Sequence, residues 1–184
     1  MSTNLMLPEE DMALLWRGPM MSKTIRQFWS EVLWGKLDYL LIDLPPGTSD
    51  ATITVMQSFP LNGVVMVTTP QSLSSMVVRK TVHMAQNLGI PILGIVENMS
   101  YYEVPENGAK LLIFGLSHTQ AVAELAEAPI LCYMPIDPEL SLLGDSGEIE
   151  KYEHSAYDEM ATAFLEAAPI SKPKPAAPWL NQGA

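Results

Sequence analysis

Four short apolar runs, set among stretches of helical periodicity, constrain this chain more than any other feature of it. They are LDYLLID at 37–43, GVVMVTT at 63–69, ILGIV at 92–96 and ILCY at 130–133. Each is continuous rather than alternating, the habit of strands buried on both faces of a parallel sheet. The intervening stretches repeat at helical spacing. Residues 20–34 place Ile25, Phe28, Trp29, Val32 and Leu33 together, and 72–88 place Leu73, Met76, Val77, Met84 and Leu88 on one stripe. Residues 118–127 do so with Ala121, Val122 and Leu125, and 155–167 turn Tyr157, Met160, Ala161 and Phe164 inward. Strands alternating with helices predict βαβ units, right-handed crossovers and an α/β fold. Turn formers Pro105, Asn107 and Gly108 interrupt 101–112, between a strand and the next helix. Residues 1–167 form a single domain in this reading. The proline- and alanine-rich tail, 168–184, is expected to be extended or disordered.

A chain of 184 residues is long enough for one domain with a core of its own. Its 21 acidic residues against 10 basic ones leave a formal charge of −11. Such a surface repels phosphate backbones, so no nucleic-acid partner is expected. A single cysteine, Cys132, excludes a disulfide framework and a cysteine-only metal site within one chain. It also fits a reducing cytosol. No run approaches the roughly 20 apolar residues of a membrane span. Glu9, Glu10 and Asp11, with no basic region before them, argue against a signal peptide. A cytoplasmic protein without a membrane segment is therefore expected. His83, His118 and His154 lie far apart, with no metal-ligand spacing.

Chemistry is expected at the ends of the strands, because open α/β sheets bind ligands beyond their carboxyl edges. The run 37–43 ends in DLPPGTSD. An acidic residue closing a strand can hold Mg²⁺ through water, as a Walker-B aspartate does. Asp43 is placed for that task. Pro45 and Pro46 stiffen the turn, and Gly47 lets the backbone approach a terminal phosphate. Thr48 or Ser49 is placed to cap a following helix, with Asp50 in its first turn.

Five segments then occur in a telling order: LPEEDMALLWRGPMM, YLLIDLPPGTSDATIT, VVMVTTPQ, GIVENMS and MPIDPEL. In these, over about residues 1 to 152, the chain resembles the Mrp/ApbC proteins of the MinD/ParA-type P-loop NTPase group. The resemblance implies a mostly parallel sheet flanked by helices, ATP with Mg²⁺ as ligand, and a homodimer. It also implies a role in assembling iron–sulfur clusters or carrying them to apo-proteins. Carried over residue by residue, Asp43 matches the switch-II acid near Mg²⁺, and Gly47 the glycine that senses the γ-phosphate. Asn98 matches the residue that reads the adenine edge, and Pro135, Ile136 and Asp137 line the other side of the base. Gln71 matches a position facing the nucleotide without a firm role, and Arg17 is a candidate dimer or switch contact.

Two departures matter. The chain contains no G-x-x-x-x-G-K-S/T, and its Gly35–Lys36 pair precedes an apolar run instead of following one. Against the resembling family, the N-terminal strand and the phosphate-binding loop are missing, so ATP hydrolysis by the chain alone is not expected. The family's C-P-x-C, which in two subunits together holds a bridging 4Fe–4S cluster, is replaced. Val104 and Asn107 stand at the cysteine positions, and neither residue type is a good iron ligand. Two alternatives stay open. One is a non-catalytic module that pairs, as a heterodimer, with a full-length homologue. The other is a fragment of a MinD/ParA-like positioning ATPase, which the proline-rich tail counts against because it offers no amphipathic membrane helix.

Overall fold

The computed structural model describes residues 18–170. Trp16, Arg17 and most of LPEEDMALLWRGPMM fall outside them, as do residues 171–184 of the tail. In chain order the elements are α1 (Gly18–Glu31), α2 (Asp50–Ser58), β1 (Val64–Thr68), α3 (Ser72–Asn87), β2 (Ile92–Glu103), β3 (Lys110–Leu111), α4 (Thr119–Ala126), β4 (Ile130–Pro135), α5 (Pro138–Ser146) and α6 (Ser155–Ala167).

The sheet is mostly parallel, as the apolar runs predict. β2 lies between β1 and β4 and runs parallel to both, with Val67 opposite Val96 and Val96 opposite Cys132. Two-residue β3 turns back antiparallel on the far end of β2. Successive strand residues point to opposite faces, and β2 shows why its run is apolar throughout. Ile95, fully buried, joins Met66, Val82, Ala85 and Val122 in one core, beneath α3 and α4. Val96 joins Cys132, Met134 and Ala156 in a second core, beneath α6. Helices thus cover both faces.

Local chemistry sets several boundaries. Ser49 caps α2, its hydroxyl accepting the Thr52 N–H at 3.2 Å, and Asp50 stands in the first turn. Of the two residues proposed for that cap, the serine takes it. Asp137 caps α5 and Pro138 follows in the first turn, where its missing N–H leaves nothing unsatisfied. Gly94 has no room for a side chain: a Cβ there would sit 2.4 Å from Cγ of Leu131 on the neighbouring strand. Gly94→Ala is expected to lower stability by about 1–3 kcal/mol through overpacking. Chemical denaturation should show the midpoint falling.

Three expectations need correction. The run 37–43 is not a strand. An extended segment becomes a strand only by sharing hydrogen bonds with a neighbour, and among the described residues none pairs with it. Leu41 is 77 % exposed and Leu37 53 % exposed, so the run is not buried on both faces. Tyr39 anchors it instead, its ring tilted against Phe164 at 5.5 Å and its hydroxyl donating to the Ala168 carbonyl at 2.6 Å. The stripes on the helices also differ. Leu73 and Met76 of α3 face outward, while Ser75, Val82 and Ala85 meet the sheet. On α4, Ala121 is exposed, and Ala123 and Ala126 join Val122 inside; on α6, Ala161 is exposed. Small residues let a helix approach a sheet closely, so the face with the largest apolar side chains is not always the buried one. Finally, residues 101–112 continue the strand and form a hairpin, not a bare loop.

Candidate functional site

Because β1, β2 and β4 are parallel, their carboxyl ends share one edge of the sheet. That edge collects Thr68–Gln71 after β1, Glu97–Ser100 within β2, and Pro135–Asp137 at the end of β4.

The central strand is deformed there. From Glu97 to Tyr101 β2 takes four steps, while its partner takes two, from Tyr133 to Pro135. Two extra residues are thus pushed out of the ladder as a bulge. Met99 within it has φ +56°, the left-handed region that a non-glycine residue seldom occupies. Such backbone persists only where its surroundings over-determine it. The side chain of Asn98 helps, its Oδ1 accepting the Met99 N–H at 2.9 Å. That leaves a second lone pair on Oδ1 and both amide hydrogens of a half-buried side chain without a partner among the described residues. Beyond the bulge, the Ile136 N–H donates to the Tyr101 carbonyl at 2.6 Å. Pro135 and Ile136 thus pair with Tyr101, three residues beyond Asn98 on β2.

Asp137 has a structural task. Its Oδ1 accepts the Glu139 N–H at 2.9 Å as the cap of α5, and its Oδ2 accepts the Tyr152 hydroxyl at 2.5 Å. Burial first, then that hydrogen bond and the charge of Asp137, push the Tyr152 hydroxyl well above its ordinary 10.0. Tyr133 and Tyr157 are raised as well, chiefly by burial. The sign follows from linkage. A group whose pKa is higher folded than unfolded contributes stability that is fully present below its unfolded value and is lost as pH rises above it. Stability is therefore expected to fall above about pH 10, where unfolded tyrosines ionise first. Thermal midpoints measured across pH 8 to 11 should show the fall, shallower in Tyr152→Phe.

Asp43 is exposed, and Gly47 carries φ +76°, so a side chain there would be strained. A Cβ on Gly47 would lie 3.6 Å from Val77, which puts the DLPPGTSD loop beside the first turns of α3. Gln71, at the cap of α3, has a buried Oε1 with no hydrogen-bond partner among the described residues. No hydrogen bond joins Asp43 or Gly47 to Asn98 or Asp137 among the described residues. The edge therefore has two halves, a β2–β4 half and an α3 half.

Residues 104–109 close the hairpin tightly. The Gly108 N–H donates to the Val104 carbonyl at 2.8 Å, and the Asn107 Oδ1 accepts the Ala109 N–H at 2.9 Å. Cys132 is buried under α6, its Sγ 3.4 Å from the Ala156 carbonyl. Burial, then the charge of Glu159, hold its thiol above the usual range.

One residue of the edge escapes a reading by motif. Glu97 is 2 % exposed, and its carboxylate accepts hydroxyls from Ser100 at 2.6 Å, from Ser117 and from Thr119. The available signal was an acidic residue closing an apolar run with a serine three positions on.

Residues 1–169 match the ParA family model described as NUBPL iron-transfer P-loop NTPase. The chain belongs to that family. It is 42 % identical over 170 residues to an iron–sulfur cluster carrier protein of Aquifex aeolicus, covering 92 % of this chain and 46 % of the relative. A cytosolic Fe–S cluster assembly factor NUBP2 homologue of Trichoplax adhaerens is 43 % identical over 167 residues, 89 % of this chain and 62 % of that protein. Among solved structures, a nucleotide-binding protein of Archaeoglobus fulgidus in complex with ADP superposes with a TM-score of 0.66 at 42 % identity, covering 76 % of this chain and 57 % of that one. The cell division ATPase MinD of Pyrococcus furiosus, at 20 % identity and a TM-score of 0.58 over 83 % of this chain and 60 % of its own, shares the fold. This ParA-family chain spans about half the length of the Aquifex relative. Among the described residues of the family member, no helix is long and apolar enough to cross a membrane.

Proposed function

We propose that this ParA-family chain supplies the base-reading and switch side of an adenine-nucleotide site, in a protein that assembles or carries iron–sulfur clusters. The observation that carries the reading is the bulge at Asn98 and Met99, held beside Pro135 and Ile136 at the carboxyl edge of the sheet. An amide there offers a donor and an acceptor side by side, which an adenine edge requires. The ADP bound by the Archaeoglobus neighbour supports the ligand class, and the names of the Aquifex and Trichoplax relatives support the cargo.

On the phosphate side, Asp43 would hold Mg²⁺ through water and the Gly47 N–H would meet the γ-phosphate. Mg²⁺ so held neutralises charge on the phosphates. The sequence contains no Walker A lysine or glycine nest, so nothing in it cradles the β- and γ-phosphates. Phosphate release from Mg·ATP by the purified chain is expected to stay at the level of buffer. Turnover that Asp43→Ala abolishes would overturn this.

The hairpin turn does not fit a cluster. The Val104 side chain has no ligating atom, and Asn107 offers an amide oxygen that holds the turn through the Ala109 N–H where a cluster needs a thiolate. No transfer step is assigned to it. That misfit favours a second reading, a non-catalytic module pairing with a homologue that carries the phosphate-binding loop. In either reading the partners are a second chain of this family and, downstream, apo-proteins that receive clusters.

A further inference from the structure

Among the described residues Glu97 is the one fully buried charged side chain. A carboxylate taken out of water is costly unless hydrogen bonds replace its hydration. Here three hydroxyls do so, and they come from two segments of chain. Oε1 accepts from Ser100, within the bulge of β2. Oε2 accepts from Ser117 and from Thr119, the first residue of α4. Ser117 is itself tied to α4, its Oγ accepting the Thr119 N–H at 3.1 Å. The bond from Glu97 to Ser100 spans Asn98 and Met99, closing a ring around the left-handed residue.

We infer that Glu97 is a positioning residue, whose buried carboxylate clamps the β2 bulge to the turn entering α4 and so sets where the Asn98 amide points. The inference rests on the reading of Asn98 as the base contact. Its physical content is that Met99 keeps a disfavoured φ because Glu97 and Ser100 are bonded across it, and because α4 fixes Glu97 from behind. A polar residue that merely filled space would need neither the Ser117 nor the Thr119 hydroxyl. The geometry also links the base-reading amide to residues 110–118. There Leu112, Ile113 and Leu116 lie at least half exposed, so anything that displaced Ser117 would be felt at Asn98.

The test uses Glu97→Gln in the full chain, with amide hydrogen exchange and titration of AMP and GMP, both followed by NMR. Glutamine keeps the shape but cannot accept on both sides. Protection at Met99 and Thr119 is expected to fall together, while α6 is unchanged. AMP affinity should fall about tenfold, the size expected for a lost charge-assisted bond. The preference for AMP over GMP should shrink with it, an effect that general loosening of the fold would not produce. Thr119→Val, combined with Glu97→Gln, should add little to the single change. Unchanged AMP affinity and selectivity in a folded Glu97→Gln chain would overturn the inference, as would full additivity with Thr119→Val. Should Glu97→Gln fail to fold, Ser117→Ala with Thr119→Val removes two donors and decides by the same readouts. A wild-type chain that binds no AMP sinks the base-reading role itself. The clamp then stands or falls on exchange: joint loss at Met99 and Thr119 supports it, and loss at only one of them contradicts it.

Discussion

Asn98→Ala is expected to weaken AMP binding by about tenfold to a hundredfold, because the two hydrogen bonds to the base edge in the proposed site would be removed together. The amide is placed by backbone rather than by a rotamer alone. Its Oδ1 holds the Met99 N–H, and the bulge around it is fixed by β4 on one side, through Ile136 and Tyr101. Asn98→Asp separates the two halves of the argument. The carboxylate can still accept the Met99 N–H, but it has lost the donor that an adenine ring nitrogen needs. Binding should fall nearly as far as in the alanine variant, with the fold intact. The measurement is a titration of each variant with AMP, with circular dichroism as the control for folding. Equal affinity across all three chains would show that the base is read elsewhere.

Ile95→Ala should have the largest effect on stability, about 2–5 kcal/mol. Ile95 is fully buried at the centre of the middle strand, where Met66, Val82, Ala85 and Val122 close over it. Truncation leaves a cavity that two helices and three strands would have to shift to fill. Domains are stable by only about 5–15 kcal/mol in total, so the variant is expected to be marginal or unfolded. Urea denaturation should show the midpoint falling sharply. The same substitution at Val67, on β1 and 58 % exposed, should cost far less.

Much of this architecture can be read from the chain alone, for physical reasons that differ by element. The runs at 63–69, 92–96 and 130–133 are apolar because helices pack on both sides of the sheet, over Ile95 on one face and Val96 on the other. Their composition therefore identifies them without any knowledge of partners. The Ser49 cap is legible because capping is local, decided within four residues. The run 37–43 has the same composition but no pairing among the described residues, since hydrogen bonding to a neighbour is a property of two segments and not of one. The hairpin at 101–112 hides behind its turn formers, because β3 is only two residues long and its register depends on β2. The helix stripes misled because Ser75, Ala85, Ala123 and Ala126 meet the sheet by being small, whereas periodicity of large apolar residues points to the wider faces.

The site divides in the same way. Pro135 ends β4, and Asn98 stands within β2 just past the apolar run 92–96, positions that are visible in sequence. The bulge at Met99 is not, because its left-handed backbone is held by bonds reaching to residues 117 and 119. Glu97 therefore reads as one more letter of GIVENMS until the fold brings onto it the hydroxyls of Ser117, in the turn before α4, and Thr119, the first residue of α4. Asp137 gains a meaning that motif reading lacks, as the cap of α5 and the acceptor of the Tyr152 hydroxyl. The hairpin shows the reverse case. Val104 and Asn107 disfavour a cluster by residue type, and the turn gives the Asn107 oxygen a structural task of its own, accepting the Ala109 N–H.

The measurement that bears most directly on the central claim, an adenine-reading edge formed by β2 and β4, is an NMR titration of the wild-type chain with AMP and, separately, GMP. The account predicts saturable shifts with AMP at the amides of Asn98, Met99 and Ile136, and much weaker ones with GMP. Shifts confined to other parts of the molecule, or equal responses to the two nucleotides, would contradict it.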